Sequence, residues 1–75
     1  MNIKIIAFGQ IAEITGKQLA AEATDTAILR TWLLEKFPAL GQKKYAIAVN
    51  KKVVTDTVQL NENDEVALMP PYSGG

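Results

Sequence analysis

Apolar residues alternate with other residues at both ends of this chain and recur at helical spacing between them. Ile3, Ile5 and Ala7 alternate with Lys4, Ile6 and Phe8, which predicts a strand over residues 3–8. The face that carries Lys4 is also apolar at Ile6 and Phe8, a surplus for a strand with one buried side. Gly9 and Gly16 bracket Gln10-Ile11-Ala12-Glu13-Ile14-Thr15, read as a loop or one helical turn because Ile11 and Ile14 lie three apart. Residues 17–22 form a second strand, weakened by Ala20 and Ala21. Leu29, Trp32, Leu33 and Phe37 fall on one stripe of a helix over residues 26–37. Asp25 is its N-cap, with Thr24 as the alternative, and Pro38 stops it. Leu34 lies well round from the stripe. Residues 45–49 are a third strand, Asn50-Lys51-Lys52 a turn, and Val53-Val54 a short fourth strand. Asn61-Glu62-Asn63-Asp64 is a polar turn with Asn63 in the left-handed region. Residues 65–69 close the pattern, with Val66 and Leu68 on one face and Ala67 and Met69 on the other.

One amphipathic helix among five strands fits a two-layer α+β fold, with a mixed sheet of four to five strands packed on one main helix. If the first two strands form a hairpin and the last lies parallel beside the first, the result is a ubiquitin-like β-grasp. Periodicity supplies these elements but not their pairing order. No internal repeat or linker divides the chain, so residues 1–69 are expected to form one domain and residues 70–75 a flexible C-terminal tail.

Composition narrows the chemistry. The 75 residues contain no Cys and no His. Thiolate nucleophiles, disulfides and Cys-based zinc sites are excluded, and the commonest general base and metal ligand is missing. Eight basic residues balance eight acidic ones, whereas a nucleic-acid binder usually carries a basic excess. Lys43-Lys44 and Lys51-Lys52 sit beside turns and read as solvated. No apolar run approaches the length of a membrane span, and the start of the chain lacks a signal-peptide layout. The expectation is a soluble cytoplasmic protein with no nucleic-acid or membrane partner. With hydrophobic residues at 48% of the chain, stability is expected to come from a packed core.

The remaining candidate for chemistry is the end of the chain, Pro70-Pro71-Tyr72-Ser73-Gly74-Gly75. Two prolines favour a stiff, extended path, and two glycines make a slim tip. A carboxylate on such an arm can enter another protein's active site. Fraying accounts for terminal glycines alone, but not for a proline pair leaving an apolar run.

Four segments together carry a family resemblance. They are Phe8-Gly9-Gln10-Ile11-Ala12-Glu13-Ile14-Thr15-Gly16, Leu33-Leu34-Glu35-Lys36-Phe37-Pro38-Ala39-Leu40, Ala48-Val49-Asn50, and the final run from Asn63 through Asp64-Glu65-Val66-Ala67-Leu68-Met69 to Gly75. In this order and spacing the chain resembles the small subunits of molybdopterin synthase, sulfur carriers with a β-grasp fold. It departs from the family at Asn63, commonly Gly, and at Tyr72, where a small or aliphatic residue is usual.

The resemblance implies that an adenylyltransferase like the ubiquitin-activating enzymes uses ATP to adenylate the Gly75 carboxylate. A sulfur donor then converts the adenylate to a thiocarboxylate. The charged chain docks on the large synthase subunit, in a heterotetramer, and delivers sulfur to cyclic pyranopterin monophosphate to build the molybdopterin dithiolene. No cofactor is expected to stay bound, and the chain is not an enzyme on its own. Gly75 and Gly74 are the reacting end. Phe8, Met69, Pro70, Pro71, Tyr72 and Ser73 are the expected partner interface, with Ile6 beside them on the face turned away from the helix.

Three alternatives have distinct signatures. A thiamine-pathway sulfur carrier shares the fold and Gly-Gly end, but lacks the Pro-Pro step. A ubiquitin-like modifier would form isopeptide bonds to lysines. A plain interaction module would work without Gly74 and Gly75.

Overall fold

The structure, a computed structural model, describes residues 2–70. Strand β1 (Asn2–Ala7) forms a hairpin-like antiparallel pair with β2 (Gln18–Glu22). Between them lies α1 (Gly9–Thr15). Helix α2 (Thr26–Lys36) and a 3-10 turn at Pro38–Gln42 lead to β3 (Ala46–Val49), β4 (Lys52–Val54) and β5 (Glu65–Met69). The sheet order is β2-β1-β5-β3-β4, with β5 parallel to β1 and antiparallel to β3. The first and last strands are therefore neighbours, and the β-grasp pairing that periodicity left open is the one found.

Burial follows the alternation. Ile3, Ile5 and Ala7 of β1, Ile47 of β3, and Val66 and Leu68 of β5 are buried on the helix side. Leu29 and Leu33 of α2 are fully buried against them, while Trp32 and Phe37 pack at the margin. Leu34 is exposed, as its position on the helix requires. Asp25 caps α2, its carboxylate accepting the Ile28 N–H at 2.8 Å.

Two features differ from the sequence reading, and a third goes beyond it. Residues 9–15 are a seven-residue helix rather than a loop or single turn, because buried Ile11 ties the segment to the core. Pro38 ends α2 but also starts the 3-10 turn that buries Leu40. The connection from β4 to β5 is anchored through α2. The buried Thr26 hydroxyl accepts the Val58 N–H at 2.9 Å, and the Thr24 carbonyl accepts the Leu60 N–H at 2.9 Å. Those bonds set Leu60 in the core, 1% exposed.

Asn50 and Lys51 both have positive φ, 50° and 73°. They form a two-residue turn between Val49 and Lys52, whose twist matches the strands it joins. Asn63 has φ 68°, the left-handed conformation expected of it.

Candidate functional site

Strand β5 lies inside the sheet and leads into the tail, so what surrounds its end defines the site. The Phe8 N–H donates to the Leu68 carbonyl at 3.0 Å, and Met69 lies opposite Ala46 in the register with β3. Pro70 is half-buried against Gly9. Gly9 has φ +57°, and a β-carbon there would lie 3.0 Å from Pro70 Cγ. The start of α1 is thus shaped to seat the first tail proline. Of the expected interface residues, Phe8, Met69 and Pro70 are brought together here; Pro71, Tyr72, Ser73, Gly74 and Gly75 lie outside the described residues.

The sheet face turned away from α2 is apolar over most of its width. Ile6 pairs with Ala67, Ala67 with Ala48, and Ala48 with Val53, one row across β1, β5, β3 and β4. Phe8, Met69 and Ala46 continue the apolar surface toward the tail. Phe8 is 49% exposed and Val53 60%, whereas Ala48 beside Val53 in the row is buried. Sequence reading found Ile6, Phe8 and Met69, whose alternation showed them on this side. It placed Ala67 with Met69 but missed Ala46, Ala48 and Val53, which only the register aligns with them.

The opposite end of β5 is polar and tied down. The Asn50 side chain donates to Asp64 Oδ1 at 3.1 Å and accepts the Glu65 N–H at 3.1 Å. Asp64 Oδ2 accepts the Asn61 N–H at 2.8 Å. The Asn61 N–H, then the Asn50 amide, hold the Asp64 carboxyl below its ordinary value of 3.8. These bonds fix the start of β5 and its alignment with β1, where the Lys4 N–H reaches the Asp64 carbonyl at 3.0 Å. Among the described residues there is no cluster of three metal-ligating side chains and no helix long and apolar enough to cross a membrane. The site is an apolar face beside the root of the tail.

One main helix packed on a mixed sheet of order β2-β1-β5-β3-β4 is the ubiquitin-like β-grasp architecture. The chain belongs to the ThiS family, whose model matches residues 5–75. It is 34% identical to the molybdopterin synthase sulfur carrier subunit of Caenorhabditis briggsae, over all of this chain and 99% of the relative. A chain of the protein–protein complex of subunits 1 and 2 of molybdopterin-converting factor from Helicobacter pylori matches with a TM-score of 0.77 at 27% identity, covering both chains in full. A putative molybdopterin converting factor subunit 1 from Pyrococcus furiosus shares the fold at a TM-score of 0.87, with 18% identity over 95% of this chain and 98% of that one.

Proposed function

We propose that this chain is the sulfur-carrier small subunit of a molybdopterin synthase. The observation that carries the reading is the seating of Pro70 on Gly9 at the edge of an open apolar face. On this reading the root of a Pro-Pro…Gly-Gly arm adjoins the face that docks on the partner. The named relatives support the same reading.

A carboxylate resists nucleophilic attack because its charge is delocalised. Adenylation removes that obstacle: the Gly75 carboxylate attacks the α-phosphorus of ATP, pyrophosphate leaves, and AMP becomes the group an incoming sulfur displaces. The activating enzyme, of the ubiquitin-activating type, supplies ATP binding and catalysis. This chain supplies the acyl group and, with no Cys or His of its own, no catalytic side chain of those types. Phe8, Met69 and the apolar row dock on the large synthase subunit, and Pro70, Pro71, Tyr72 and Ser73 bridge to its active site. Gly74 and Gly75 carry the thiocarboxylate to cyclic pyranopterin monophosphate. Each dithiolene needs two sulfurs, so two charged chains are consumed, in keeping with a heterotetramer. The work is assigned to the cytoplasm.

Reconstitution tests this. Thiocarboxylated chain, large subunit and the pterin precursor should yield molybdopterin, and chain lacking Gly74 and Gly75 should yield none. Transfer of sulfur to a thiazole precursor instead, or isopeptide adducts on lysines, would replace this reading with one of its rivals.

A further inference from the structure

The sheet has two outer edges, and they are built differently. Strand β4 is three residues long and carries Lys52, a short and charged edge of the kind that discourages pairing. Strand β2 is five residues long, Gln18-Leu19-Ala20-Ala21-Glu22, with no charge before its last residue. The Ala7 N–H donates to the Lys17 carbonyl at 2.9 Å, and Ile5 and Ile3 follow in register with Leu19 and Ala21. The backbone of Lys17, Leu19 and Ala21 therefore faces β1. The N–H and C=O groups of Gln18, Ala20 and Glu22 face outward.

That outward row is self-complementary. An antiparallel copy centred on Ala20 sets Ala20 against Ala20 and Gln18 against Glu22 twice, each pair able to exchange two backbone bonds. The side chains that then meet are two methyl groups and a neutral amide beside a carboxylate, so no like charges oppose one another. Beside the same edge, α2 offers apolar surface. Trp32 and Asn2 flank a groove of about 480 Å³ against Ala20, Ala21 and Glu22. Trp32 also borders a groove of about 340 Å³ with Ala27, Ile28, Thr31 and Glu35, where Ile28 is 47% exposed. A two-fold copy brings its own Ile28 and Trp32 to this side of the joined edge.

We propose that β2 pairs with β2 of a second copy of this chain, making one continuous ten-stranded sheet through an isologous contact. Phe8, Met69 and Pro70 take no part in it, so the contact is independent of the carrier reading. Five residues of edge and one helix flank are a small interface, so the association is weak and concentration-dependent.

Sedimentation of the full chain from micromolar to millimolar concentration tests it, together with amide exchange at the highest concentration. The mass should climb from 8.2 kDa toward twice that, and the Gln18, Ala20 and Glu22 amides should slow at least tenfold. Ala20→Pro removes the donor at the two-fold, at an edge position where proline is tolerated, and should stay monomeric with an unchanged circular dichroism spectrum. Ile28→Lys, on an exposed helix position, should weaken association at least tenfold if the proline variant fails to fold. A constant mass of 8.2 kDa, or a dimer whose Ala20 amide exchanges freely, overturns the proposal. So does a folded Ala20→Pro chain that associates as the parent does.

Discussion

Alternate residues of β5 do different work. Val66 and Leu68 point into the core and are fully buried, whereas Ala67 and Met69 lie on the open face that continues to the tail. One face holds the domain together, and the other is the one proposed to meet a partner. Strand pleating alone separates them by one residue. Stability and docking should therefore be separable by substitutions at neighbouring positions of one strand.

The sharpest break is on the core side. Leu68→Ala removes a fully buried side chain from the middle of the sheet and should cost about 2–5 kcal/mol, read from denaturant unfolding. In a chain this short that is a large share of the whole stability.

The next test exchanges the faces. Met69→Asp or Phe8→Asp should leave the unfolding midpoint close to that of the parent. Affinity for the large subunit should fall on the order of tenfold or more, as for an apolar anchor at an interface centre. Titration calorimetry and a parallel melt decide between the faces. Unchanged affinity would mean that the open face is not the docking surface, and a melt lowered as far as that of Leu68→Ala would mean that it belongs to the core.

Away from both faces, Asp25→Ala should cost about 1 kcal/mol by removing the N-cap of α2. This effect belongs to stability alone and should leave docking untouched.

The smallest effect concerns the polar end of β5. The Asp64 carboxyl is held below its ordinary value in the folded chain by the Asn61 N–H and the Asn50 amide. Its stabilising contribution is fully present above the unfolded-state value. It is lost as pH falls through the lower folded-state value, because the unfolded chain then binds the proton first. Asp64→Asn should flatten this part of the acid-unfolding curve and leave stability at neutral pH only slightly changed.

The alternating β1, the stripe on α2 and the Asp25 cap were all legible in the sequence, because each is a local pattern with a local cause. So was the apolar surplus of Ile6, Phe8 and Met69. What escaped depended on contacts between residues distant along the chain. Helix α1 has no capping side chain and only a few apolar positions, so its helicity rests on Ile11 meeting the core. The bonds from Thr24 and Thr26 to the β4–β5 connection join segments with no shared pattern. The seating of Pro70 on Gly9 likewise appears only once β1 and β5 are neighbours. The reacting end was read from the residue types Pro-Pro and Gly-Gly, and those beyond Pro70 lie outside the described residues.

The most direct measurement is the intact mass of the chain after incubation with an activating enzyme, ATP and a sulfur donor. Replacement of one oxygen by sulfur, located on Gly75 by fragmentation and abolished when Gly75 is deleted, is the predicted result. A chain of unchanged mass under conditions that charge a known carrier, or sulfur found on any other residue, would contradict the account.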